Sequence, residues 1–233
     1  MTALMAAIWP SIEDSMAKLV EGYPSGLKDV FGIQTLDTIE KYIDVEMLSI
    51  VVPLALAFFA VRCATRATVT AEDRGYLDTL LSAPVSRRAL IASSFAVTGI
   101  VLAAILAVIW TLTWIAGVTV GGGISAAKLA AGLVNVWPLA MMFAGLATLA
   151  TGFSRRPATV TAVATGTLVA MYVIDVVGKL AAPVEPLRSV SAFRYYGSAI
   201  QNGLDAGHMI GLTLAAIALT TAGALLFERR DLG

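Results

Sequence analysis

The residues of this chain that could carry chemistry are few, and their spacing argues against catalysis. His208 is the lone histidine, so a metal site built on paired histidines and a serine–histidine–acid relay with a spare base are poorly supported. At the edge of an apolar run, it reads as an interfacial residue. Cys63 is the lone cysteine, has no partner for an internal disulfide, and sits in an apolar run where a small buried hydrophobe is expected. The Gly121, Gly122, Gly123 run is not followed by lysine at the distance a phosphate loop needs, and no G-x-x-x-x-G-K-[ST] motif occurs. No catalytic residue, metal ligand or cofactor is assigned, and the chain is not expected to be an enzyme. Residues 72–88, EDRGYLDTLLSAPVSRR, are different: a charged, proline-stopped stretch held between two long apolar segments. Its chemistry is that of docking in water.

Glu72 and Asp73 stand where they favour a helix N-terminus, and Tyr76, Leu77, Leu80 and Leu81 fall on one stripe of the helix that would follow. Pro84 stops that helix by about Ala83. Ser86 is placed to cap the next helix, with Arg87 and Arg88 anchoring its start. Periodicity alone leaves two readings open: a helix that docks on a partner protein, or an interfacial helix resting on lipid.

The elements that hold this stretch are apolar. Hydrophobic residues make up 58% of the 233 and charged residues 14%, with a mean hydropathy of +0.82, a balance that excludes an ordinary soluble domain. Net charge is zero, so no overall attraction to nucleic acid is expected. Crossing a bilayer takes about 20 apolar helical residues, and residues 47–65, 89–118, 129–152, 158–178 and 207–227 meet that length. No alternating pattern of about ten residues recurs, which disfavours a β-barrel. The expected fold is all-α: a polytopic membrane protein, a helical bundle of five complete spans plus the end of an N-terminal sixth.

Orientation follows from the arginines. If successive runs cross in opposite senses, Arg62, Arg66, Arg74, Arg87, Arg88, Arg155, Arg156, Arg229 and Arg230 share one side, which is then cytoplasmic, as is the C-terminus. Residues 66–88 become a cytoplasmic segment and 179–206 an outer loop. Residues 1–46 become an outer amphipathic segment, with Ile12, Met16, Leu19 and Val20 at helical spacing. Nothing before Met47 is long enough to carry that segment across, so residues 1–10 read as the outer end of a first span whose beginning is missing; a tail translocated unaided is the alternative.

The pattern E-x-x-G-T-L-x-x-L-L-x-x-P-V-S-R is matched by Glu72, Gly75, Leu77, Leu80, Leu81, Pro84, Val85, Ser86 and Arg87, with Tyr76 in place of the threonine. In this the chain resembles permeases of type-2 ATP-binding-cassette (ABC) transporters. The similarity extends through Trp9-Pro10-Ser11, residues 22–32, Ser154-Arg155-Arg156, residues 185–188 and residues 227–232, covering nearly everything except a first span. The resemblance implies that residues 74–82 form the coupling helix seated in a cleft of a cytoplasmic ATPase subunit, with Glu72, Arg74, Gly75, Tyr76, Leu77, Leu80, Leu81, Pro84 and Arg87 carrying that contact. It also implies partners: an ABC ATPase subunit, a second permease copy or paralogue, and the lipid of the cell membrane.

Asp175 is the one ionisable residue within a central apolar run, with Lys179 four residues on, a spacing that suits a snorkelled ion pair or an outer-gate residue. Phe193-Arg194-Tyr195-Tyr196 is an aromatic, basic cluster at interface height, readable as an anchoring belt. In the resembling family short helices here close the exit of the pathway, which makes Phe193, Tyr195, Tyr196 and Asp175 outer-gate candidates. Stretches rich in small residues, 144–152 and 159–167, suit close helix packing, as does the Gly207 and Gly211 pair. The nearly neutral spans fit an amphipathic or apolar solute better than an ion, and export is the expected direction. The competing class is a non-transporting integral membrane protein, an assembly factor or a membrane enzyme.

Overall fold

A computed structural model describes residues 43–75, 86–119 and 124–229. Among them there is no strand, and the all-α expectation holds. Helix α1 (Val52–Ala67) is preceded without a break by a π-helical start, Asp44–Val51. The short α2 (Val69–Asp73) follows, then α3 (Arg87–Thr119), α4 (Ala126–Thr151), α5 (Pro157–Leu180), a 3-10 helix (Ala182–Val190), α6 (Ala192–Tyr196), α7 (Ala199–Asn202) and α8 (Ala206–Glu228). Five helices are long and apolar enough to cross a bilayer: Met47–Ala67, Arg87–Thr119, Ala126–Thr151, Pro157–Leu180 and Ala206–Glu228. The outer amphipathic segment, save its last residues, and the end of a sixth span lie outside the described residues.

Helices in lipid satisfy their backbone internally and leave apolar side chains outward. Val97, Ile100, Val108, Leu112 and Ile115 of α3 are all exposed, as the lipid-facing side of such a helix would be. The most enclosed of the five is α4, whose apolar window is 72% buried against 22% for α3 and α5. Pro138 interrupts its backbone ladder without ending the helix.

The chain divides into two compact units. The first comprises Met1–Pro53, Ala103–Val136 and Met171–Met209. Its described core gathers Met47, Leu48, Leu106, Leu129, Leu133, Phe193 and Ile200. Gly132 permits a close approach, since a Cβ there would lie 2.7 Å from Ile200 and 2.8 Å from Leu48. Trp110 donates its indole N–H to the Ala126 carbonyl at 3.0 Å and stacks on Trp114.

The second unit comprises Leu54–Leu102, Trp137–Ala170 and Ile210–Gly233. Small residues bring α4 and α8 together: a Cβ on Gly145 would meet the Ala216 carbonyl oxygen at 2.6 Å, and one on Gly223 would meet Thr148 backbone at 2.6 Å. The small-residue stretch 144–152 is thus used as expected. The Gly207 and Gly211 pair is not: a Cβ on Gly211 would meet nothing within 4 Å. The same holds for Gly166, although Val160 and Ala164 of residues 159–167 are fully buried.

Candidate functional site

Two clusters hold the described site residues, one in each unit. In the second unit, α1 ends at Thr68, whose hydroxyl donates to the Ala64 carbonyl at 2.8 Å and whose backbone leaves the helical region. Threonine bonding back to its own helix favours such a bend. α2 then runs only five residues and stops because Gly75 is left-handed, φ +70°, with its N–H donating to the Glu72 carbonyl. The glycine of the E-x-x-G pattern is therefore a helix stop. Glu72 and Asp73 end this helix, and the helix expected to follow them lies outside the described residues. Their position follows from the helix restarting at Val69, a break that apolar periodicity does not reveal.

Glu72 lies 3.8 Å from Arg155, joining α2 to the link between α4 and α5. Arg74 is exposed and, with Arg62 and Arg66, lines a cavity of about 700 Å³. Tyr76, Leu77, Leu80, Leu81 and Pro84 lie outside the described residues. Where the chain is described again, Ser86 caps α3 as expected, accepting from the Ala89 N–H at 3.2 Å, and Arg87 opens the helix. Arg88 binds Glu228 at 2.5 Å, tying the start of α3 to the end of α8 where Ile91 packs on Phe227. That long-range pair has no local signal.

In the first unit, Asp175 is buried and holds Lys179 at 2.9 Å, the expected pair, and also Arg188 at 3.0 Å. Arg188 reaches it from the 3-10 helix by crossing over Gly178, where a Cβ would meet its side chain at 2.3 Å. Asp175 is thus the centre of a two-cation clasp. Ser191 donates to the Met171 carbonyl at 2.6 Å and caps α6.

The three aromatic residues separate. Phe193 is buried edge-on against Tyr172, ring centres 5.3 Å apart. Tyr196 is buried and donates from its hydroxyl to the Leu48 carbonyl at 2.9 Å, while Asn135 donates to the Tyr196 carbonyl. Tyr195 faces outward, donating to the Ser189 carbonyl and touching the His208 ring edge-on. A uniform aromatic belt is therefore not formed: two of the rings are core, and one is surface. Lone His208 is paired with Asp205 at 3.3 Å, and the His208 backbone N–H holds the Asp205 carboxyl below its ordinary value.

Sequence reasoning missed the centre of this cluster. Asp44, just ahead of the first span and 4% exposed, accepts hydrogen bonds from Ser198 and from Gln201 at 2.7 Å. Burial pushes its carboxyl above the usual range, against the lowering effect of those two donors. Burial and the nearby Asp44 push the Tyr196 hydroxyl far up. Asn135, an amide inside an apolar run, signalled a buried polar partner, which is the Tyr196 carbonyl; it did not point to Asp44.

No group of three or more histidine, cysteine, aspartate or glutamate side chains that could hold a metal occurs among the described residues. Five apolar spans, one of them largely enclosed, and polar clusters that clamp short connecting helices define a polytopic helical membrane protein. The chain belongs to the family described as multidrug efflux system permease Rv1217c, C-terminal domain, whose model matches residues 1–228. It is a membrane permease of that family. Searches of curated proteins and of solved structures found no match.

Proposed function

We propose that this chain is the membrane-spanning permease subunit of an ABC exporter, moving a small amphipathic or apolar solute by means of ATP hydrolysed on a separate subunit. Membership of a multidrug efflux permease family is the observation that carries the reading. The sequence pattern of residues 72–87 supports the ATPase partner. So does the way its described ends are held: Gly75 turns the chain after α2, and Ser86 caps α3 directly. Force applied to the intervening residues would reach both spans. A second permease copy or paralogue completes the path.

Arg62, Arg66, Arg74, Arg88, Arg155 and Arg229 all belong to the second unit. The bias of arginine toward the cytoplasm supports placing these links, and the C-terminus, inside the cell membrane. The Asp175 clasp and the Asp44 network then belong to the outer connections, where a gate would be held shut by polar contacts that can exchange for water. Alternation between states that open to opposite sides follows from ATP favouring one of them.

The test is co-expression with the ABC ATPase expected to be encoded beside this chain. Leu80→Asp and Leu77→Asp are expected to abolish co-purification of the ATPase while leaving membrane insertion intact. Undiminished co-purification rejects the coupling assignment, and solute-independent ATPase activity in lipid rejects the transport reading.

A further inference from the structure

Arg62, Arg66 and Arg74 recur at multiples of four residues, and all three reach one cavity of about 700 Å³ whose wall also includes Ala67, Ala71 and Leu90. Two of the three lie within the span Met47–Ala67. None has a carboxylate partner among the described residues: Glu72 lies against Arg155, and Glu228 is held by Arg88. Arg62 and Arg66 lie one turn apart on α1 while Arg74 follows α2; like charges brought to one cavity repel, and a cation inside a span is stable only with a counter-ion or a path to water. Among the described residues no carboxylate neutralises the three, so the cavity presents uncompensated positive charge to an anion.

Forked guanidinium donors match the oxygens of a phosphate. The remainder of the cavity argues for a lipid over a soluble phosphate. Leu90 gives it an apolar wall, and Val97 and Val101, on the same face of α3 at spacings of seven and eleven residues, are exposed beyond it. We propose that this cavity binds the phosphate of an anionic phospholipid, with the acyl chains lying along α3. Arg62, Arg66 and Leu90 belong to the spans, whereas Arg74 is also assigned to the ATPase contact, so Arg62→Gln and Arg66→Gln test the lipid site apart from the ATPase reading.

The experiment uses the full chain in phosphatidylcholine nanodiscs titrated with phosphatidylglycerol, bound lipid being counted by native mass spectrometry. Each arginine removed is expected to weaken phosphatidylglycerol retention about fivefold, and Arg62→Gln, Arg66→Gln and Arg74→Gln together about 125-fold. Arg156→Gln with Arg229→Gln, which removes two arginines that do not line the cavity, should leave retention unchanged. Equal weakening by that control pair would reduce the site to general surface attraction and overturn the proposal. So would wild-type retention in the triple variant. Inorganic phosphate forms the third arm: displacement of the lipid at equal concentration would make this a soluble-phosphate site and reject the lipid. Circular dichroism checks folding, and if the triple variant is misfolded, Arg62→Gln alone decides, with unchanged retention counting against the site.

Discussion

Replacing Asp44 separates two effects that its position combines. Its carboxyl is buried, which disfavours the charge, yet it receives the Ser198 hydroxyl and the Gln201 amide. Asp44→Ala removes the acceptor of the half-buried Ser198 hydroxyl and of the Gln201 amide; Gln201 is exposed and can turn to water, so the loss should be about 0.5–1.5 kcal/mol for each hydrogen bond removed. Asp44→Asn keeps an acceptor oxygen and removes the charge, so it should lie within about 1 kcal/mol of the parent at low pH, where the carboxyl is also neutral. The sign of the pH dependence follows from the raised carboxyl pKa. The folded state holds this proton more tightly than the unfolded chain, so Asp44 contributes most below its unfolded value, and that contribution falls as pH rises through the folded one. Thermal unfolding in mild detergent, followed by helical circular dichroism from pH 4 to pH 8, measures both. Asp44→Asn should remove this downward component, and Asp44→Ala should unfold earlier than Asp44→Asn at every pH. Equal midpoints for alanine and asparagine would refute the hydrogen-bonding argument; a component that rises with pH would refute the burial argument.

Other expectations follow from close contacts. Gly223→Val should destabilise by about 1–3 kcal/mol in the same assay, because its Cβ must displace Thr148 backbone instead of a flexible side chain. Gly178→Ala should push Arg188 off Asp175, and a disulfide cross-link between cysteines introduced at positions 178 and 188 should form readily in the parent background. Gly75→Ala should cost about 1 kcal/mol through its left-handed backbone, read as a lowered midpoint with unchanged helical content.

The five spans were legible because hydropathy is a local property: each apolar run lies in a helix of nearly the same extent. Ser86 as a cap and Asp175 with Lys179 were legible for the same reason, their partners lying within four residues. What stayed hidden depends on residues far apart. Arg188 reaches Asp175 only because the 3-10 helix folds back across Gly178, and Asp44 meets Ser198 and Gln201 across more than 150 positions. The π-helical start at Asp44–Val51 has no signature that separates it from an α-helix, since both present apolar side chains on the same run. Among the aromatic residues, composition could not tell Phe193 and Tyr196, which turn inward, from Tyr195, which does not.

Helix α3, Arg87–Thr119, runs 33 residues and contains no proline. At 1.5 Å per residue it is a rod of about 50 Å, roughly 20 Å longer than a hydrocarbon core. A swing of about 10° about one end would sweep the other through about 9 Å at that length. Such a length turns a modest rotation near Arg88 into a displacement wider than a water molecule.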